Sequence, residues 1–191
     1  MKIYKSTKFS VVILLTLMVA ILMGCSKKKE RVYELLPPDP EMEKDLTELV
    51  VSLTVSIENN GGSTANEGSP RLIDGDLDSK FLIQSFDPSF TIQEEYDSAY
   101  RIDAYTLTSA NDADGRDPKD WTIQGSNDQT AWTILDTQTG QLFDARKKTV
   151  RYEFTNATRY KYYRFAITAL KGGTSGLFQL AEWRMIRRPQ Q

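Results

Sequence analysis

The sequence predicts an all-β protein whose folded part is a single β-sandwich, on three observations. Beyond Glu48 the chain runs in short segments rich in Val, Ile, Thr, Tyr, Phe and Trp, the residues that suit a pleated, half-buried surface. Within those segments apolar side chains recur at every second position: Val150, Tyr152 and Phe154, then Tyr163, Phe165 and Ile167, with Trp121 and Ile123, and Trp132 and Ile134, repeating the pattern. A period of two belongs to a strand with one buried face. Between the runs lie Gly125-Ser126-Asn127-Asp128, Thr139-Gly140 and Gly172-Gly173, which supply the tight and positive-φ positions of turns. Strands and turns at regular spacing imply a sandwich.

The first strand is expected near Val51 to Ile57, with Glu41 to Val50 either a short helix or the lead-in to that strand. From there to the end, about 140 residues suffice to bury a core without disulfides or metal, because roughly two thirds of the unfolded surface is removed at that size. No internal repeat is visible, and the length of 191 residues fits one domain with a tail.

Composition excludes several function classes. The chain contains no histidine, which removes imidazole general bases, Ser-His-Asp and Cys-His nucleophiles and most zinc sites. Its formal charge of −2 becomes more negative once Lys2, Lys5 and Lys8 leave with a signal segment, so attraction to a phosphate backbone is disfavoured and nucleic acid is not an expected partner. Among the 26 acidic residues no pair is marked by surroundings that would separate two pKa values, the signature of acid–base catalysis. An enzyme is not expected.

The only cysteine is Cys25, so an intrachain disulfide is impossible. Three lysines precede Val11 to Met23, an apolar run broken only by Thr16. This is the pattern of a signal peptide, and at about 13 residues the run is shorter than the roughly 20 that span a bilayer. Leu22-Met23-Gly24-Cys25 resembles the bacterial lipobox, in which the cysteine thiol receives a diacylglyceryl lipid. The expected organisation is a signal peptide at 1–24, a lipidated Cys25 with a tether through 46, a domain at 47–187 and a tail at 188–191. Pro37, Pro38 and Pro40 in the charged tether favour extended chain. Ser26 resembles an outer-membrane sorting signal, so the expected place is the bacterial cell envelope. Lys27, Lys28 and Lys29 depart from the acidic stretch of surface-exported lipoproteins of the Bacteroides type, which leaves the membrane face open. Asp97-Ser98-Ala99 fits the short O-glycosylation motif of that group, or is simply a turn.

The stretch YTLTSANDADGRDPKDWTIQGSNDQTAW, Tyr105 to Trp132, resembles the discoidin domain, also called the coagulation factor type C domain, as found in carbohydrate-binding modules of family 32. SPRLIDGDLDSKF at Ser69 to Phe81 and LFQLAEWRMI at Leu177 to Ile186 extend the resemblance to about 47–187. It implies a jelly-roll β-sandwich of about eight antiparallel strands, galactose-binding domain-like, with paired first and last strands and ligand loops at one end. The chain departs from eukaryotic members in lacking the cysteine pair that joins the termini, and Phe81 stands where tryptophan is usual.

Asp74-Gly75-Asp76-Leu77-Asp78-Ser79 gathers three carboxylates in five positions, and oxygen-rich turns are what calcium requires. The EF-hand pattern fails, because its glycine and bidentate glutamate positions are here Ser79 and Ser85. The resemblance implies instead a structural calcium held at Leu72, Asp74, Asp76, Ser79 and Glu182, partly through main-chain oxygens. The alternative is an Asx-type turn without metal, with Arg71 or Lys80 as counter-charge. On the loop from Asn111 to Pro118, Asn111, Asp112 and Arg116 offer groups that bond sugar hydroxyls; the alternative is that Arg116 and Asp117 pair and hold the loop in shape for Trp121. Phe86 is the candidate aromatic platform, with Phe90 beside it, though phenylalanine is more often core. Of Tyr160, Tyr162 and Tyr163, at least one is expected at the surface. Together these readings describe a membrane-anchored, non-catalytic domain that binds carbohydrate at the envelope. The alternative is an envelope protein-interaction or adhesion module with the same fold and no sugar site, and an exposed aromatic ring in a shallow polar cleft separates the two.

Overall fold

The structure, a computed structural model, describes residues 42–189. The expected signal segment, Cys25 and most of the expected tether lie outside the described residues. Eleven strands follow one another: β1 (Lys44–Asp45), β2 (Val50–Val55), β3 (Phe81–Phe86), β4 (Thr91–Tyr100), β5 (Ala104–Thr108), β6 (Pro118–Ser126), β7 (Thr133–Gln138), β8 (Thr149–Glu153), β9 (Tyr160–Leu170), β10 (Gly176–Leu180) and β11 (Glu182–Arg187). All pairings are antiparallel. One sheet runs β2-β4-β9-β6-β7, a second runs β1-β11-β5-β8, and β3 pairs with β10. The two main sheets hold the eight strands expected from sequence, besides the two-residue β1; the β3–β10 pair adds the remainder. Lys44 pairs with Arg187, so first and last strands meet. Glu41 to Val50 yields that short strand and a 3-10 turn at Thr47–Leu49, with Leu46 buried, and the next strand opens at Val50.

The period-two readings place the core. Tyr163, Phe165 and Ile167 on β9, Trp121 and Ile123 on β6, and Ile92 and Tyr96 on β4 turn inward, against Tyr105 and Leu107 on β5 and Trp183 and Met185 on β11. The Phe165 and Trp183 rings lie 5.6 Å apart, and Trp121 meets Tyr152 edge-on at 5.3 Å, the offset geometry that ring quadrupoles favour. Trp132 and Ile134 break the expectation. Ile134 is 60 % exposed, because β7 is an edge strand, and Trp132 precedes it and lies on Arg164, whose guanidinium carbon is 3.6 Å from the ring centroid. The same alternation thus operates on the outer face of the sheet.

Direction along the strands defines two ends. β5, β9 and β11 all run between them: Thr108, Leu170 and Glu182 mark one end, and Ala104, Tyr160 and Arg187 the other. The connections at 56–80, 109–117, 139–148 and 171–175 gather at the first end. The described termini lie at the second.

One inward position on β4 carries a charge-capable group. Glu94 is fully buried; its Oε2 accepts a 2.6 Å hydrogen bond from the Tyr96 hydroxyl, and Oε1 has no partner. Burial pushes its carboxyl up to about 8, against the opposing pull of the Tyr96 hydrogen bond, so the folded protein holds a proton that the unfolded chain releases near its ordinary value of 4.5. The stability this provides is complete below that value and is lost as pH rises towards 8, at roughly 1.4 kcal/mol per pH unit. Urea unfolding between about pH 7 and pH 8 is expected to show this slope in the wild type and a much flatter profile in Glu94→Gln; an unchanged profile in the variant would place the titration elsewhere.

Candidate functional site

At the first end, the loop between β5 and β6 is shaped from below. Gln179 on β10 is fully buried; its amide nitrogen donates to the carbonyls of Asp112 (2.8 Å) and Ala113 (3.2 Å). Ala113 adopts φ 26°, a left-handed conformation that a side-chain-bearing residue holds only when its surroundings impose it. The 3-10 turn Asp114–Arg116 follows at once. Behind it Gly172 donates its amide to the Gly115 carbonyl at 2.8 Å, and a Cβ on Gly172 would stand 2.7 Å from that oxygen. Glycine is required there by the close approach of two backbones.

The same scaffold collects the predicted side chains. Lys80, at the foot of β3, sends its ammonium to Asp112 Oδ1 (2.8 Å), Asn111 Oδ1 (3.1 Å) and Gln179 Oε1 (3.3 Å). Arg116 reaches Asp112 Oδ2 at 3.8 Å and Gln179 Oε1 at 3.5 Å. Asn111 and Asp112 are exposed and Arg116 half-buried, so the loop offers oriented donors and acceptors to solvent while its base is locked. The Lys80 ammonium, first among the causes, holds the Asp112 carboxyl below its ordinary range. A shallow cavity of about 360 Å³, lined by Asp112, Asp114, Phe143 and Arg146, adjoins it.

Several expectations require correction. Asp117 does not pair with Arg116: its buried carboxylate meets Arg146 through two parallel hydrogen bonds, Nη1 to Oδ1 at 2.9 Å and Nη2 to Oδ2. Chain distance decided this, since adjacent residues point apart while the β7–β8 connection brings Arg146 face to face with Asp117. Phe86 is 3 % exposed and Phe90 fully buried; with Phe81 and Phe178 they form an aromatic cluster under β3 and β10, so neither is a platform. Tyr162 and Tyr163 are buried and Tyr160 half-buried. Tyr160 lies across Gly125, whose added Cβ would meet the ring at 2.5 Å. The exposed large apolar side chains among the described residues are Met42, Val51, Leu77, Ile134, Leu142 and Leu177, none aromatic.

The acidic turn lies at the same end. Asp74 accepts from the Asp76 amide (3.0 Å), the Ser79 hydroxyl (2.9 Å) and Arg71 (3.1 Å), and Asp76 accepts from the Asp78 amide (2.9 Å), which is a pair of successive Asx turns. Leu72 closes the preceding 3-10 turn, its side chain in the core. Glu182, at the start of β11, accepts from the Gly75 amide at 2.7 Å through Oε1. Its other oxygen is buried without a hydrogen bond, with Arg184 Nη1 at 3.6 Å. Burial pushes Glu182 up to about 7, against the Gly75 hydrogen bond, with Asp74 raising it further. Burial also opposes ionisation of Asp74, yet the Asp76 amide, Arg71 and Ser79 hold its carboxyl below the usual range. No group of three His, Cys, Asp or Glu able to share a metal occurs among the described residues. The side chains of the expected set, three carboxylates and a hydroxyl, are of the type a hard cation takes, and Glu182 Oε2 is the one of their oxygens buried without a hydrogen bond.

Gln179 and Arg146 were not singled out by sequence, and Lys80 was expected only as a counter-charge for the acidic turn, whereas it reaches Asn111 and Asp112. Gln179 carried one weak signal, a polar residue between Phe178 and Leu180 in an otherwise apolar run.

The sequence pattern of the F5/8 type C domain family matches residues 53–183. Among solved structures, the chain is similar to the family 32 CBM of Clostridium perfringens NanJ in complex with galactose, at 11% identity and TM-score 0.61, over 76% of this chain and 100% of that one. It is similar to CBM32-3 of a family 31 glycoside hydrolase from Clostridium perfringens, at 16% identity and TM-score 0.62, over 78% and 95%. It is also similar to chitosan-binding module 1 of a chitosanase/glucanase from Paenibacillus sp. IK-5, at 22% identity and TM-score 0.57, over 74% and 98%. These likenesses carry the fold. Over 61 residues the chain is 48% identical to the Arabidopsis thaliana peptide-N(4)-(N-acetyl-beta-glucosaminyl)asparagine amidase, a match spanning 31% of this chain and 8% of the plant protein.

Removing Arg146 would leave the Asp117 carboxylate buried without its counter-charge, the costly way to break such a pair. Arg146→Ala is expected to destabilise the domain by about 3 kcal/mol, read by urea unfolding, and Asp117→Asn in the same background to recover part of that loss.

Proposed function

The chain belongs to the F5/8 type C domain family, and we propose that its sandwich is a non-catalytic binding module that takes carbohydrate at the loop end bearing Asn111, Asp112 and Arg116. The observation that carries this is the left-handed Ala113 held by buried Gln179. Backbone strain maintained from below fixes the outward side chains before a ligand arrives, and preorganised polar groups lose less on binding. Amide, carboxylate and guanidinium groups then pair with the donors and acceptors of sugar hydroxyls. Similar folds whose names record galactose or chitosan as ligands support the same class. Phe86 has no part in this site, and the aliphatic stem of Arg116 is left to cover a sugar's apolar face.

One observation favours a second reading, an envelope protein-interaction or adhesion module: among the described residues no large exposed apolar side chain is aromatic. A glycan array probed with the chain lacking residues 1–24 separates the two. Binding to a defined glycan class, reduced about tenfold or more by Arg116→Ala and Asn111→Ala at unchanged melting temperature, is the expected result, each substitution removing at least one hydrogen bond to the sugar. Silence across plant, host and bacterial glycans would transfer the weight to the protein partner.

Calcium belongs to the same proposal, as a structural ion at Leu72, Asp74, Asp76, Ser79 and Glu182. It would supply positive charge where Glu182 otherwise keeps a proton. In calcium-free protein the folded carboxyl titrates at about 7 instead of 4.5, so its contribution is complete below the lower value and is lost as pH rises to the upper one. Calcium replaces the proton, and its effect is therefore expected to grow with pH: a larger rise in melting temperature at about pH 8 than at about pH 5.5. Equal melting temperatures with calcium and with chelator at both pH values would remove the site.

The anchor at Cys25 is proposed on the lipobox-like sequence alone, with the outer membrane of a Bacteroides-type envelope as its place. Two or three acyl chains, at about 0.8 kcal/mol for each buried methylene, hold a protein at a bilayer stably. Intact-mass measurement of the mature protein reads the modification directly.

A further inference from the structure

The second end of the sandwich, remote from the loop site, contains a feature the proposed function does not use. A cavity of about 630 Å³ there is lined by Arg101, Arg159 and Arg187 together with Ser98 and Tyr100, and no carboxylate lines it. Arg101 is already engaged with Asp103 and the Arg188 carbonyl. Arg159 and Arg187 have no ion-pair partner among the described residues. Tyr100 turns its hydroxyl to Asp97 at 2.9 Å.

The adjoining cavity, about 680 Å³, shares Arg101 and has the opposite character. Its cations are matched: Arg188 meets Glu153 at 2.6 Å and Asp103 at 3.4 Å, and Arg151 meets Glu43 at 2.7 Å. Asn156 adds an amide whose nitrogen donates to the Ile102 and Thr158 carbonyls. The buried Nε of Arg188 has no hydrogen-bond partner. Both volumes fall in the range of small-ligand sites.

Two adjacent cavities, one cationic without counter-charge and one polar and balanced, call for a ligand with the same division. We propose that this end is a second carbohydrate site, selective for an acidic disaccharide unit in which a uronate ring precedes a neutral one. The uronate carboxylate lies between Arg159 and Arg187, whose planar guanidinium forks match its two oxygens. The neutral ring enters the neighbouring cavity, where the exposed carboxylates of Glu43 and Glu153 accept from its hydroxyls. A second uronate is excluded from that cavity by the same carboxylates, so a polyuronate is a poorer ligand than an alternating acidic–neutral chain. No residue of the loop site takes part, and the two sites stand or fall separately.

The test is calorimetry of the chain from residue 25 onward, carrying Cys25→Ser, with an aldobiouronic acid and with its methyl ester, which keeps the shape and removes the charge. The acid is expected to bind at least about tenfold more tightly than the ester, and Arg159→Gln/Arg187→Gln to erase that difference, a charge-assisted hydrogen-bond pair being lost. Lys119→Gln/Lys148→Gln, with the same change in net charge, is expected to bind as the parent does. Amide shifts on binding are expected at 98–101 and 157–159. Equal affinity for acid and ester, or shifts confined to 109–117, would overturn the proposal. So would tighter binding of inorganic phosphate or of phosphatidylglycerol vesicles lost in the arginine double variant, which would make the cavity a phosphate site.

Discussion

The two sheets are held in one relation by a polar contact inside an apolar gap. Trp121 Nε1 donates to the Tyr105 hydroxyl at 2.8 Å, and that hydroxyl donates to Asp136 at 2.7 Å. Trp121 and Asp136 belong to the five-stranded sheet and Tyr105 to the other, so the chain of hydrogen bonds crosses the sandwich. Apolar packing alone is tolerant of small slides, whereas a buried hydrogen bond left unmade costs about 1–3 kcal/mol. This contact therefore fixes which residues of β5 face which residues of β6, and with them the two ends of the loop that the strands carry. Desolvation drives the Tyr105 hydroxyl well above its ordinary range, so it remains a donor at any physiological pH.

Around that seam the molecule buries several polar and charged groups, and their placement is uneven. Lys80, Asp117, Gln179 and Glu182 are buried at the loop end, Glu94 lies within the core, and Asp103 lies at the opposite end. Most are fully engaged: Lys80 by three oxygens, Asp117 by a bidentate arginine, Gln179 by two carbonyls. Such networks give a loop one conformation rather than several. Glu94 and Glu182 each keep one oxygen without a partner, and both hold protons that solvent would take. The first has only a tyrosine for company, whereas the second faces a turn rich in oxygen donors. Similar burial thus raises both carboxyls above their ordinary range, one inside the core and the other beside the acidic turn.

The sequence by itself determined the fold class and, on β6, β8 and β9, which side chains face inward. Alternation in β6, β8 and β9 survives in three dimensions because an exposed apolar row or a buried charged one would each cost more than local preferences can offset. It determined the turns for a similar reason: Asp128 caps the amides of Thr130 and Ala131 within its own segment. The candidate loop 111–116 and acidic turn 74–79 were legible too, since their chemistry is local. Partnership was decided only by tertiary structure. Asp117 chose Arg146 over its neighbour, Phe86 and Phe90 closed on Phe81 and Phe178, Trp132 lay outward on Arg164, and the guanidiniums of Arg101, Arg159 and Arg187 met in one cavity. The reason is geometric: periodicity fixes the side of a strand on which a residue lies, but which distant residue occupies the facing space depends on sheet order and crossing, which no local stretch of chain encodes.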